Sequence, residues 1–340
     1  MPNRLYHQLT EETITQISRR AVWFNILVPL VTLMLLSSIP YPASLRYEAF
    51  DGDAAKMTWV HHRIVADPRP IDIALIGTSR TMVAISDSLL QLQCSSHAAS
   101  LGSVVNLGVS WQGRDLHAVF ADDLFKTKGC GTVILEIQEN LARKGHPLFT
   151  DVADNTDILS AFFLLNTGWS REVFMLPRRN LHHLWTQLLR TTGHDEESGH
   201  PEKQWGEHYH FTEKAVKSRE EMEQEKNDFE SNKRWRILPA SLDQLEFQMP
   251  RHYLRRIIKH AEQAGTKMIF LYLPYYGCAR PAQDIVLFEK HGTVLTPPPS
   301  ILDNPGLWFD KSHLNDRGNE LLTRWLADEL LELEQRDGGD

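Results

Sequence analysis

The stretch Ile71-Asp-Ile-Ala-Leu-Ile-Gly-Thr-Ser-Arg80 decides the fold. Its first six residues form a short, mostly apolar run closed by Pro70 in front and Gly77 behind, the pattern of a strand buried on both faces. Runs of the same kind follow at Val104-Val-Asn-Leu107, Thr132-Val-Ile-Leu-Glu-Ile137 and Lys267-Met-Ile-Phe-Leu-Tyr-Leu273, and a last strand is expected near Thr293 to Thr296. Segments of helical length and period, Ile85 to Gln93 and Asp115 to Lys126, separate the first three. Such alternation predicts a parallel sheet with helices on both faces, and right-handed crossovers make it doubly wound. The expected architecture is therefore a three-layer α/β/α, flavodoxin-like domain.

Outside residues 71–332 the sequence changes character. From Ala21 to Ile39, inside an uncharged stretch between Arg20 and Arg46, the dense apolar block Leu30, Val31, Leu33, Met34, Leu35 and Leu36 has the length of a transmembrane helix. A buried core helix and a cleaved signal peptide are the alternatives. The length of the run and the absence of a small-x-small cleavage site favour an uncleaved anchor. Arg19 and Arg20 then put residues 1–20 in the cytoplasm and the chain beyond Pro40 outside, giving a single-pass inner-membrane protein with its domain on the periplasmic side. Residues 40–70, polar and holding Pro42, Gly52, Pro68 and Pro70, read as a connector.

The alternation lapses at about 147–249, which reads as a helical insertion. Apolar helical patterns at Ile158 to Leu165 and Leu181 to Leu189 are followed by a polar tract and, from Thr212 to Arg236, a solvated helix. Helices at Arg251 to Ala264 and Asn319 to Leu331 complete the domain, and residues 333–340 form a frayed tail. The net charge of -8 excludes a basic nucleic-acid footprint. Three cysteines form no disulfide scaffold or metal motif; Cys94 and Cys130 are the pair an oxidising compartment could join. His194, His200, His208 and His210 read as surface residues of a polar insertion rather than a metal cluster, and no cofactor is called for.

Ligands in open α/β sheets bind beyond the carboxyl ends of the strands, and four polar clusters stand there. Gly77-Thr-Ser79-Arg80 places a serine at a strand-to-helix turn, where an ordinary helix cap is the plain reading. At the far end of the chain, Asp310-Lys-Ser-His313 supplies what a serine nucleophile needs: a general base and a carboxylate to orient it. Asn106-Leu-Gly108 and Gln138-Glu-Asn140 offer donors for an oxyanion, from the Gly108 N–H and the Asn140 side chain, with Gln138 as substitute. Arg80, Trp111, Gln112, Arg114, Tyr275 and Tyr276 follow strand ends and are candidate linings of a sugar cleft, with packing as the alternative.

The order serine, glycine, asparagine, Asp-x-x-His along the strand ends resembles the GDSL or SGNH hydrolase superfamily over about Ile71 to Asn140 and Arg251 to Leu330. The resemblance implies Ser79 as nucleophile, His313 as base, Asp310 as its orienter, and Ser79 N–H, Gly108 N–H and Asn140 as the oxyanion hole. This chain departs from the pattern at Thr78, Arg80 and Gln138. Gly-Thr-Ser-Arg after an anchor looks closest to the envelope branch, which includes proteins of alginate and other polysaccharide O-acetylation and the D-alanyl transfer protein of teichoic acids. That likeness implies acyl transfer to, or ester hydrolysis on, a cell-surface polysaccharide beside a membrane-bound O-acyltransferase. A non-catalytic polysaccharide-binding or scaffold protein is the competing expectation.

Overall fold

Five parallel strands, β1 (Ile73–Ile76), β2 (Val104–Asn106), β3 (Thr132–Ile137), β4 (Lys267–Tyr272) and β5 (Thr293–Leu295), hydrogen-bond in the order β2-β1-β3-β4-β5. This computed structural model describes residues 11–39, 55–97, 102–192, 208 and 212–337. The chain crosses from β1 to β2 on one side and returns past β1 to β3 on the other, so the direction of winding reverses between β1 and β3 and the carboxyl ends of these two strands open a crevice. Ser79 stands just beyond β1 at that point. All five strands lie within a residue or two of the runs read from the sequence.

Period-two alternation sorts the strand side chains between two cores. Ala74, Ile76, Val105, Val133, Leu135, Ile137, Met268 and Phe270 face one side, where they meet α5 (Arg114–Thr127) and α10 (Gln248–Ala264). Ile73, Leu75, Ile134, Ile269 and Leu271 face the other, against α4 (Asp87–His97) and α11 (Asp316–Asp337). Helix α10 buries Tyr253, Leu254, Ile257, Ile258 and Ala261 on one stripe, and each large side chain so removed from water contributes about 1.5–3 kcal/mol. Gly265, in the left-handed region at φ 66, ends that helix.

Three expectations change. The second half of the connector is not a connector: α2 (Ala55–His61) and a π turn (His62–Ala66) bury Met57, Trp59, Val60 and Ile64 in the first core, because these apolar residues recur on one helical face. Cys94 and Cys130 are free thiols and pack into different cores, on opposite sides of the sheet, so no bridge joins them. At 21–39 stands part of a 27-residue helix, α1 (Glu11–Ser37), with Pro29 inside it. Among the described residues no helix is long and apolar enough to cross a membrane, so the structure shows here a helix with exposed apolar side chains and not the expected span.

The insertion contains α6 (Phe149–Val152), α7 (Asn155–Ser160), a 3-10 turn (Ala161–Leu164), α8 (Trp169–Thr191) and α9 (Arg219–Asn232). Its root is clasped to α5 by Asp115, whose carboxyl accepts the His146 N–H at 3.0 and 3.1 Å. Burial and the nearby Glu172 push the Asp115 carboxyl from 3.8 up to about 7. The folded chain thus keeps a proton that the unfolded chain has lost between these values. This contribution is complete at low pH and disappears as pH rises through about 7. Asp115→Asn, which keeps an acceptor for His146, is expected to gain stability over the parent as pH rises from 4 to 8, by up to about 1.4 kcal/mol per pH unit. Urea unfolding at both ends of that range checks it.

Candidate active site

The residue pattern of β1 builds the first half of the site. After Ile76 the chain turns at Gly77 directly into α3 (Ser79–Ala84), capped by the Thr78 hydroxyl, which accepts the Arg80 N–H at 3.1 Å. A Cβ at Gly77 would overlap Thr81 Oγ1 and lie 2.5 Å from Glu136 Oε2; the turn needs glycine for close approach rather than for its φ. Gly77→Ala is expected to cost about 1–3 kcal/mol by overpacking and to displace Ser79, read as a lowered melting temperature together with slower reaction of Ser79 with an ester probe.

The second half comes from a two-stranded hairpin, β6 (Trp308–Asp310) and β7 (His313–Leu314). Its turn is closed by Asp310 Oδ1, which accepts the N–H groups of Ser312 at 2.6 Å and His313 at 2.9 Å. The His313 ring stacks on Phe309 with an interplanar angle of 14°. Nδ1 of His313 lies 2.9 Å from Asp310 Oδ2, and Nε2 lies 2.8 Å from Ser79 Oγ. These partners imply Nδ1–H donating to the carboxylate and the serine O–H donating to Nε2. Burial pushes the Asp310 carboxyl up, but the hydrogen bonds and charge from His313, with the turn N–H groups, outweigh it and hold the carboxyl below its usual range. Ser79, His313 and Asp310 are all part-exposed, so a bound group can reach the hydroxyl. The arrangement can draw the serine proton onto the imidazole and stabilise the resulting imidazolium.

Glu136, which the sequence reading passed over, lies beneath the serine turn. Its Oε2 accepts Thr78 N–H at 2.7 Å, Thr81 N–H at 3.1 Å and Thr81 O–H at 2.5 Å, while Oε1 accepts the Thr78 hydroxyl at 2.9 Å and the Gln138 amide. The carboxyl therefore grips the chain on both sides of Ser79. A charged residue inside the apolar run of β3 was the available signal: burying it is costly unless it is hydrogen-bonded.

The other expected site residues divide. Among the described residues no hydrogen bond engages the Ser79 N–H, leaving a donor open at the head of α3. The Gly108 N–H is already donated to Asn106 Oδ1 at 3.0 Å, and a Cβ there would lie 2.7 Å from Met82 N, so this glycine serves the packing of α3 against the β2 turn. Asn140, Gln112 and Gln138 line a small cavity with Thr78, Arg114, His117 and Glu136, and the amide of Gln112 donates to Gln138 Oε1. Trp111 is half-exposed, at φ 65, with its ring edge-on to His146.

Four residues expected to line a sugar cleft are buried. Arg80 is buried, donating to Glu139 at 2.7 Å and to the Leu273 carbonyl at 2.8 Å. Arg114 is buried, donating to the Glu136 carbonyl at 3.0 Å beside His117; loss of hydration brings its guanidinium down to about 10. Burial, with the Arg114 charge, holds His117 well below its ordinary value, in the neutral form. Tyr275 and Tyr276 are covered by α9, their hydroxyls donating to Glu230 at 2.6 Å and Glu223 at 3.2 Å. The insertion covers them: helix α9 roofs the end of β4, and its Glu225 accepts the Lys311 N–H at 3.0 Å in the turn between β6 and β7. His208 pairs with Asp87 at 3.1 Å, and among the described residues no group of three or more His, Cys, Asp or Glu could hold a metal ion; His194, His200 and His210 lie outside the described residues.

No family model matches this chain, and a search of curated proteins finds no match.

Proposed function

We propose that this chain is a serine acyl-ester enzyme of the SGNH hydrolase type, an O-acyltransferase or esterase acting on a cell-envelope polysaccharide. The observation that carries the reading is the hydrogen-bonded series Ser79, His313, Asp310, assembled from residues 234 positions apart at the switch point of the sheet. Ser79 Oγ attacks an ester carbonyl as its proton passes to His313 Nε2; the tetrahedral oxygen is met by the Ser79 N–H, and by the Asn140 amide once it turns from the Leu141 carbonyl, 3.5 Å away. Gly108 joins them only if its N–H leaves Asn106. The C–O bond to the leaving alcohol breaks, His313 returns the proton to that alcohol, and Ser79 holds the acyl group. Water or a sugar hydroxyl, activated by His313, then takes the acyl group and restores the serine.

Placement at the envelope, with the domain outside the inner membrane and a membrane-bound O-acyltransferase as partner, is part of the proposal. It is supported by the exposed apolar side chains of α1, which could rest against a membrane, and by the likeness of the Gly-Thr-Ser-Arg and Asp-x-x-His-Leu-Asn motifs to the envelope branch. The engaged Gly108 donor favours a second reading, a polysaccharide-binding scaffold that keeps the fold without turnover. Intact-mass measurement after incubation with a fluorophosphonate separates the two. The enzyme reading expects one adduct, absent in Ser79→Ala; an unlabelled parent chain, with polymer acylation unchanged by Ser79→Ala, overturns it.

A further inference from the structure

Helix α8 turns a broad apolar stripe outward. Its domain-facing side carries Leu176 together with Glu172, Arg179, Asn180 and His183, all buried. Its outward side carries Phe174, 78% exposed, with Leu181, Leu184 and Trp185, 58% exposed. The buried groups are engaged with the protein. Arg179 donates to the carbonyls of Thr150 at 2.7 Å and Ala153 at 2.8 Å, and the Asn166 amide donates to Glu172 at 2.8 and 2.9 Å. A helix at a protein surface in water ordinarily turns polar side chains outward. The apolar side continues onto the preceding turn, where Leu159, Phe162, Phe163 and Leu165 stand open, Phe163 at 75%.

Two further observations say what covers this face. The first is continuity with α1, which exposes apolar side chains from Trp23 to Leu35. Its carboxyl end is fastened to the insertion: the Asn180 amide donates to the Leu36 carbonyl at 2.6 Å, and the Asn155 amide to the Ser37 carbonyl at 2.7 Å. The second is charge. In α8 the acidic count is one, Glu172, and it is buried, whereas Arg171 and Arg178 are exposed. An apolar face bearing Trp and Phe, edged by arginines with no open carboxylate, matches an anionic lipid surface.

We infer that α8 and the turn before it form an interfacial membrane-binding face, lying in the headgroup layer of an anionic bilayer with its aromatic side chains toward the acyl chains. The inference deepens the envelope part of the proposed function. It makes the insertion a second membrane contact beside α1, and two contacts fix the tilt of the domain, and so the height of Ser79, over the bilayer.

The test uses the full chain in phosphatidylcholine vesicles, with or without phosphatidylglycerol, containing a phospholipid with a photoactivatable acyl chain. Adducts are mapped by peptide mass spectrometry. Lipid adducts are expected on residues 159–165 and 174–189 as well as on α1, increasing with phosphatidylglycerol, and absent from residues 285–291, where Val286 is 76% exposed. In Phe163→Glu/Trp185→Glu the adducts on 159–165 and 174–189 are expected to be lost while those on α1 persist. In Arg171→Gln/Arg178→Gln the gain from phosphatidylglycerol is expected to vanish. Adducts confined to α1, or crosslinks between two copies of the chain through α8 in place of lipid adducts, overturn the inference. Fluorophosphonate labelling of Ser79 on the same samples reports separately on the enzyme reading.

Discussion

Asp310→Asn is expected to lower the rate at which Ser79 is acylated by about 10⁴-fold while leaving the fold in place. The carboxylate at 310 has two tasks in the hairpin. Its Oδ1 accepts the N–H groups of Ser312 and His313, which shapes the turn, and its oxygens accept Nδ1–H of the ring, which selects the tautomer. An asparagine preserves the first through its carbonyl oxygen. It defeats the second, because the amide offers a donor where the ring also donates, so Nε2 tends to carry the proton and cannot take one from Ser79. Stopped-flow acylation by an activated ester, with circular dichroism as the control for folding, measures it. A rate within tenfold of the parent would mean that the Asp310 contact does not serve catalysis.

Glu136→Ala is expected to remove about 3 kcal/mol or more of stability, since buried donors left without an acceptor cost roughly 1–3 kcal/mol each. Five donors converge on that carboxyl: the N–H groups of Thr78 and Thr81, their hydroxyls, and the Gln138 amide. Glu136→Gln keeps one oxygen and the volume, so it isolates the positioning effect. The acylation rate is expected to fall by about 10²-fold with little change in KM, because the serine turn shifts while the binding surface stays. Chemical denaturation of Glu136→Ala, and a kcat against KM comparison for Glu136→Gln, check the two parts. Unchanged kcat in Glu136→Gln would reduce the carboxyl to a purely structural role.

The sheet was legible because a doubly covered parallel strand has few ways to be written. Ile71–Ile76, Thr132–Ile137 and Lys267–Leu273 are dense in β-branched and aromatic residues, and their ends are marked by Pro70, Gly77 and Gly265. Ser79 was legible by its type and its position after a strand, and Asp310 and His313 by their types and three-residue spacing. The hairpin that delivers His313 was not, since strands of three and two residues are too short to establish a period. Helix α2 was hidden by the prolines and glycine around it. The fates of Arg80, Tyr275 and Tyr276 were hidden for another reason. Polar residues at strand ends face either solvent or an insertion, and local sequence does not say that α9 crosses there. Glu136 was misjudged as part of an ordinary strand although its charge was the departure from the pattern.

The 234-residue separation between the two halves of the site bears on how the protein is made. Every strand of the five-stranded sheet ends by Leu295, yet the imidazole arrives eighteen residues later, next to the final helix. On the proposed reading, a ribosome that has finished the sheet has produced a chain whose Ser79 still lacks its base, and activation waits until His313 has been made. Trimming from the carboxyl end would likewise remove the imidazole before it reaches the strands.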